Sequence, residues 1–155
     1  MADHRRIGRL CGAVYDTARH GGQCGSGWML GHVWQRLADL LVAHTRAEEE
    51  TCYALASGPG PRAGGPVRDL IGDHDDIRKL IGEASAHPVG SASWWHAVST
   101  VIAMSAEHHE REERDVLPGC VHGLSMRRRK ELGRQWCAFM AAWGRDATLG
   151  PGRRG

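Results

Sequence analysis

Apolar residues recur along this chain at steps of three and four, the spacing that lines one face of an α-helix. Glycine- and proline-rich breaks divide the pattern into five segments. The breaks are HGGQCGSG (His20–Gly27), SGPGPRAGGP (Ser57–Pro66), HPVGSAS (His87–Ser93), PGCVHG (Pro118–Gly123) and a tail from Gly144. In the first segment His4, Ile7, Cys11 and Val14 share a face, and Asp3 can cap its start. The second carries Leu30, Trp34, Leu37, Leu41, His44 and Glu48, and the third Val67, Leu70, His74, Ile77 and Ile81, with Pro66 acceptable as the first helical residue. The fourth carries Trp94, Val98, Val101, Ser105, His108, Glu112 and Val116, with Ser93 as its cap. A neighbouring line through Trp95, Ile102, Ala106, His109 and Glu113 is almost as good, so periodicity alone does not say which face is inward. The fifth segment sets Leu132, Trp136, Phe139 and Trp143 on one face.

No stretch has the strict alternation of a strand, and the connections are short. The pattern therefore predicts an all-α fold, an antiparallel up-down four-helix bundle of two helical hairpins with a fifth, C-terminal helix packed on it. Residues 1–143 form that domain and residues 144–155 a disordered tail.

An internal repeat selects between the two lines of the fourth segment. ADHRRIGRLCGA (Ala2–Ala13) aligns with GDHDDIRKLIGE (Gly72–Glu83), pairing Asp3 with Asp73, His4 with His74 and Ile7 with Ile77. HTRAEEETCYAL (His44–Leu55) aligns with HHEREERDVLPG (His108–Gly119), pairing His44 with His108, Glu48 with Glu112 and Glu49 with Glu113. Each hairpin thus gives a lone histidine from its first helix and a His-x-x-x-Glu pair from its second. His109 falls opposite Thr45.

Four imidazoles and two carboxylates would then sit inside an apolar bundle whose stripes offer no lysine or arginine to pair with them. Each unpaired buried charge costs several kcal/mol, about what a bound cation would remove. Any one of these residues taken alone reads as a hydrogen-bonded core group or a surface charge, but the same pattern twice at matching offsets does not. Imidazole and carboxylate without thiolate suit iron or manganese, with zinc next. Six side chains suit a carboxylate-bridged pair of ions better than a single ion. His4 is the outlier: it lies almost at the terminus and reaches the level of the others only if the first helix is short and shifted.

At these residues the chain resembles the hemerythrin-like proteins of the HHE cation-binding type, over residues 2–118, with Pro118 six residues after Glu112 as is common in that family. The resemblance implies a four-helix domain whose metal ligands are His4, His44, Glu48, His74, His108 and Glu112, holding two iron ions joined by an oxide or hydroxide, with manganese or zinc as lesser alternatives. Oxygen-carrying hemerythrins use five histidines, one glutamate and one aspartate, so four and two here point away from reversible oxygen carriage. Tyr53, five residues after Glu48, would point about 140° away on an ideal helix. It packs as an aromatic unless the helix distorts, in which case it becomes an extra ligand or a neighbour of the ligands. Cys52 faces inward near the same place, while Asp3, Asp73 and Asp76 either orient imidazoles or cap and solvate their helices.

Two functions follow as expectations. One is a di-iron oxidoreductase that turns over hydrogen peroxide, nitric oxide or dioxygen in oxidative or nitrosative stress defence, and the other a module that senses or stores oxygen, nitric oxide or iron without turnover. No catalytic residue is assigned. A formal charge of +2 and a pI near 8.4 are too small to argue for nucleic acid. With no signal-like or membrane-spanning stretch, the expected location is the cytoplasm. The expected partner is a small molecule (O2, H2O2 or NO), and the basic run Arg127, Arg128, Arg129 and Lys130 is either a solvated patch or a contact for another protein. Five scattered cysteines without a Cys-x-x-Cys pair read as reduced, mostly buried thiols.

Overall fold

The computed structural model describes residues 2–20, 26–54 and 66–148. All regular structure among them is helical: α1 (Ala2–His20), α2 (Ser26–Glu48), α3 (Pro66–Ser85), α4 (Ala92–Arg111), α5 (Leu117–His122) and α6 (Met126–Thr148). Short π-helical turns prolong two of them, Glu49–Tyr53 after α2 and Glu112–Val116 after α4. None of these helices is long and apolar enough to cross a membrane.

The inward stripes are those set by the three-and-four spacing. Leu30, Trp34, Leu37, Leu41, His44 and Glu48 are all buried on α2, as are Val67, Leu70, His74, Ile77 and Ile81 on α3. On α4 the line from Trp94 through His108 to Glu112 is buried, whereas Ala106 and Glu113 of the rival line are exposed and Trp95, Ile102 and His109 half-buried. The repeat therefore picked the right register.

α1 lies along α2 and α3 along α4. Neighbours run antiparallel. His74 reaches Glu48 while Arg78, one turn on, reaches back to Thr45; His4 meets Glu112 while Tyr15, near the other end of α1, stacks on Trp95. Between α3 and α4 the chain reverses over Pro88–Ser91, where Ser91 N–H donates to Pro88 O at 3.0 Å and Gly90 takes φ +83°, a conformation that suits glycine at the third residue of a turn.

Two apolar clusters form, and a polar layer separates them. The larger joins Ile7, Val14, Leu37, Leu41, Ile77, Val98 and their neighbours; the smaller joins Tyr53, Val67, Leu70 and Val116. His44 and Glu48 fall between the two on α2, His74 on α3, and His108 and Glu112 along α4. α6 packs across α2 and the turn that follows it.

Several local expectations are corrected. Ser91, not Ser93, caps α4, its hydroxyl accepting from Trp94 N–H at 3.2 Å. Asp3 lies inside the first turn of α1 and accepts from Trp136 instead of capping. The break expected at Pro118–Gly123 is helical as far as His122. Pro118 follows closely on the π-helical turn Glu112–Val116, where the α-helical hydrogen-bond ladder is already interrupted, rather than standing in a regular helix interior. α6 runs to Thr148, so residues 144–148 of the expected tail are helical, Gly144 weakening but not ending the helix; residues 149–155 lie outside the described residues. Cys137 is exposed and Cys11 and Cys52 half-buried, so burial of the thiols is less complete than expected. α1 is not short: it has 19 residues against 20 in α3, and His4 reaches the layer because α1 is displaced along its neighbours.

Leu37 is fully buried in the larger cluster, about two helical turns before His44 on α2. Leu37→Ala is expected to lower the unfolding free energy by about 2–5 kcal/mol, measured by denaturant titration. A loss below about 1 kcal/mol would mean that the cluster collapses around the gap.

Candidate metal centre

The structure brings all six residues singled out by the repeat into the polar layer. They form two groups sharing Glu48: His4, His44, Glu48 and Glu112 in one, and Glu48, His74 and His108 in the other, with one donor atom of every member within 4.8 Å of the rest of its group. His4 keeps 8 % of its side chain accessible and the other five at most 3 %. The layer therefore meets solvent on the α1 side.

Three of the four imidazoles are held from behind by a carboxylate. His4 Nδ1 lies 2.7 Å from Glu113 Oε1, His74 Nδ1 2.9 Å from Glu49 Oε1, and His108 Nδ1 3.2 Å from Asp73 Oδ2. A carboxylate accepts only, so each Nδ1 carries the proton and each Nε2 presents a lone pair to the layer when the ring is neutral. Glu49 is itself held by Arg78 and Asp73 by Arg111. The first two contacts cross between the repeats. Each lone histidine is held by the glutamate that follows the His-x-x-x-Glu pair of the other copy.

That arrangement makes the interior of the layer a poor place without a cation. His74 Nε2 and His108 Nε2 face each other at 2.9 Å, a lone pair against a lone pair if both Nδ1 atoms are protonated. His44 Nε2 lies 2.9 Å from Glu48 Oε1 and His4 Nε2 3.3 Å from Glu112 Oε2, close but not aligned as hydrogen bonds. Both oxygens of Glu112, Glu48 Oε2 and both nitrogens of His44 are buried with no hydrogen-bond partner. Each such group costs about 1–3 kcal/mol, more when ionised. The donor set and its orphaned atoms fit cations of the kind that imidazole and carboxylate bind.

Without metal the layer compensates with protons. Burial would lower the pKa of His4, but the Glu112, Glu48 and Glu113 carboxylates outweigh it and raise it to about 10. Burial would raise the pKa of Glu48, but His44, His4 and His74 hold it well below the usual range. Burial, with Glu48 beside it, pushes that of Glu112 up. His108 falls to about 4 because it is buried and faces His74. His109 falls to about 2 through burial and the neighbouring His4 and His44.

Tyr53 reaches the layer by the distortion that the sequence left open. Hydrogen bonds five residues apart replace the α-helical ones over Glu49–Tyr53, so the fifth residue after Glu48 swings back towards the inward face. The Tyr53 side chain is buried, stacks on His74 with centroids 5.4 Å apart, and leaves its hydroxyl without a hydrogen bond. Burial and the Glu48 and Glu112 carboxylates raise its pKa, keeping it a phenol while no cation is near. The second copy distorts likewise, Leu117 N–H bonding to Glu112 O.

Other neighbours were not foreseen. His109 is more than a bystander: its ring stacks on His4 at 4.1 Å, and with His4 and His44 it makes a third group of donors. Of the three aspartates singled out, Asp73 holds His108, Asp3 holds Trp136 and Asp76 is exposed. The sequence places Glu49 and Glu113 only on an adjacent face, and the Glu-Glu doublet in both repeats is the available signal. A cavity of about 250 Å³ opens onto the layer between Ala2, Asp3, His4, His44, Glu48, Cys52, Leu117 and Trp136. A larger, open cleft of about 440 Å³ beside Glu83, His87 and His96 is remote from it, and these three do not form a donor group.

Residues 1–120 match the model of the hemerythrin HHE cation-binding domain. The chain belongs to that family. No curated protein and no solved structure gave a significant match. Membership implies metal binding, usually of iron, and a small ligand.

Because His4 is held protonated up to about pH 10 in the metal-free layer, a cation that takes its Nε2 must displace a proton at neutral pH. Metal uptake at pH 7–8 in weak buffer is expected to release protons, and affinity to fall as the pH is lowered. Uptake with no proton release would contradict the assignment of His4.

Proposed function

We propose that the chain is a non-haem di-iron protein, an antiparallel up-down four-helix bundle, that binds and reacts with a small oxidant: hydrogen peroxide, nitric oxide or dioxygen. Its role would be oxidative or nitrosative stress defence in the cytoplasm. The observation that carries this reading is the pair of donor groups that share Glu48, with both nitrogens of His44, Glu48 Oε2 and both oxygens of Glu112 left without a hydrogen-bond partner beside a cavity fit for a small molecule. His4, His44, Glu48, His74, His108 and Glu112 would hold the ions, Glu48 being common to the two donor groups, with Tyr53 as an extra ligand or an adjoining phenol. When bound, the irons supply open coordination positions and electrons to the oxidant.

The chain's own residues do the rest. Glu113, Glu49 and Asp73 fix the tautomers of three imidazoles and strengthen them as donors, with Arg78 and Arg111 keeping two of those carboxylates in place. The apolar clusters above and below exclude bulk water, so charge that develops in the layer is stabilised by nearby groups rather than by solvent. The cavity beside His4 and His44 admits only small species. The exposed run Arg127–Lys130 at the start of α6 is free to meet a protein partner.

The reading requires about two irons per chain, lost together in Glu48→Ala or Glu112→Ala. Given hydrogen peroxide, iron-loaded protein is expected to release oxygen well beyond a His74→Ala control. Iron bound without any turnover, together with a reversible oxygen or nitric oxide adduct, would instead make it a sensing or storage module. Substoichiometric metal after expression in iron-rich medium would defeat both.

A further inference from the structure

The two halves of the layer are built from equivalent sequence but are not equally braced. In the second copy Asp73 accepts from His108 Nδ1 and is itself held by Arg111. The repeat sets Asp3 at the position of Asp73 and His44 at that of His108. Asp3 nevertheless does not serve His44. Its Oδ2 accepts the indole N–H of Trp136 at 2.9 Å, and His44 Nδ1 is left buried without a partner. The bracing arginines have no equivalents either: Gly8 stands where the repeat would place Arg78, and Ala47 where it would place Arg111.

Trp136 belongs to α6, beyond the residues that match the family. Its ring meets that of His44 edge-on, with centroids 5.4 Å apart, and it walls the cavity that opens onto His4, His44 and Glu48. We propose that Trp136 is a positioning residue for the metal centre: by holding Asp3 away from His44 and walling the cavity, it leaves the His4–His44 half less tightly held and accessible while the His74–His108 half stays braced. The proposal rests on metal binding at the six residues. A carboxylate on the far nitrogen makes an imidazole a stronger donor; withholding it weakens His44 on the side that the cavity reaches. Part of the inequality between the halves thus comes from a helix beyond the residues that match the family.

Trp136→Phe keeps a ring against His44 but removes the N–H, which releases Asp3. Iron is expected to pass from this variant to a chelator roughly tenfold more slowly than from wild type, and the slowing to vanish in the Trp136→Phe/Asp3→Ala double variant. A tryptophan that only braces the fold would give the opposite sign. Normal iron content with unchanged or faster iron loss in Trp136→Phe would overturn this inference alone, whereas a wild-type chain that takes up no iron would overturn the metal reading and this inference with it. The contact can also be read without metal. The Trp136 indole proton is expected to exchange slowly in metal-free wild type and at the solvent rate in Asp3→Ala; equally fast exchange in both would overturn the proposal.

Discussion

Lone pairs and negative charge converge in a layer with apolar side chains above and below, and much of this structure follows from keeping them there. Hydrogen bonds from outside the layer turn three imidazole Nε2 atoms inward, where they meet each other and the carboxylates of Glu48 and Glu112. Protons can relieve part of the conflict, as the raised pKa of His4 and the opposed shifts of Glu48 and Glu112 indicate, burial and the neighbouring charges acting on each. The facing nitrogens of His74 and His108, with Glu49 and Asp73 holding their other sides, can share a proton only if one ring becomes a cation in the buried layer. Cations would satisfy the whole set at once, which is why the apolar helices are able to carry it.

The duplication does more than double the donors. Glu113 of the second hairpin holds His4 of the first, and Glu49 of the first holds His74 of the second. Neither hairpin could orient its own lone histidine without the other, so the packing of the two hairpins and the orientation of the donors are one event. The symmetry is broken on the His44 side, where Asp3 turns to Trp136 and no arginine stands behind the outer carboxylates. Small-molecule access and weaker bracing therefore coincide in the same half.

The helices and the inward register were legible in the sequence because burial follows the three-and-four spacing, and because the repeat chose His108 and Glu112 over His109 and Glu113. The convergence of six side chains was legible for the same reason. Three features were not. Tyr53 enters the layer through a π-helical turn, which a rotation of about 100° per residue does not anticipate. Glu49 and Glu113 act across hairpins, a relation that only the packing of one copy on the other creates. Trp136 lies outside the repeat, so nothing within the chain could align it to Asp3. The basic run Arg127–Lys130 is exposed, which leaves its reading as open as the sequence did.

The central claim is that this layer is one site for two cations. X-ray diffraction from iron-loaded crystals at energies either side of the iron absorption edge tests it most directly. The account predicts two anomalous-scattering peaks inside the layer, one beside His4 and His44 and the other beside His74 and His108, with Glu48 next to both. A single peak, or peaks only at surface histidines such as His87 and His96, would contradict it.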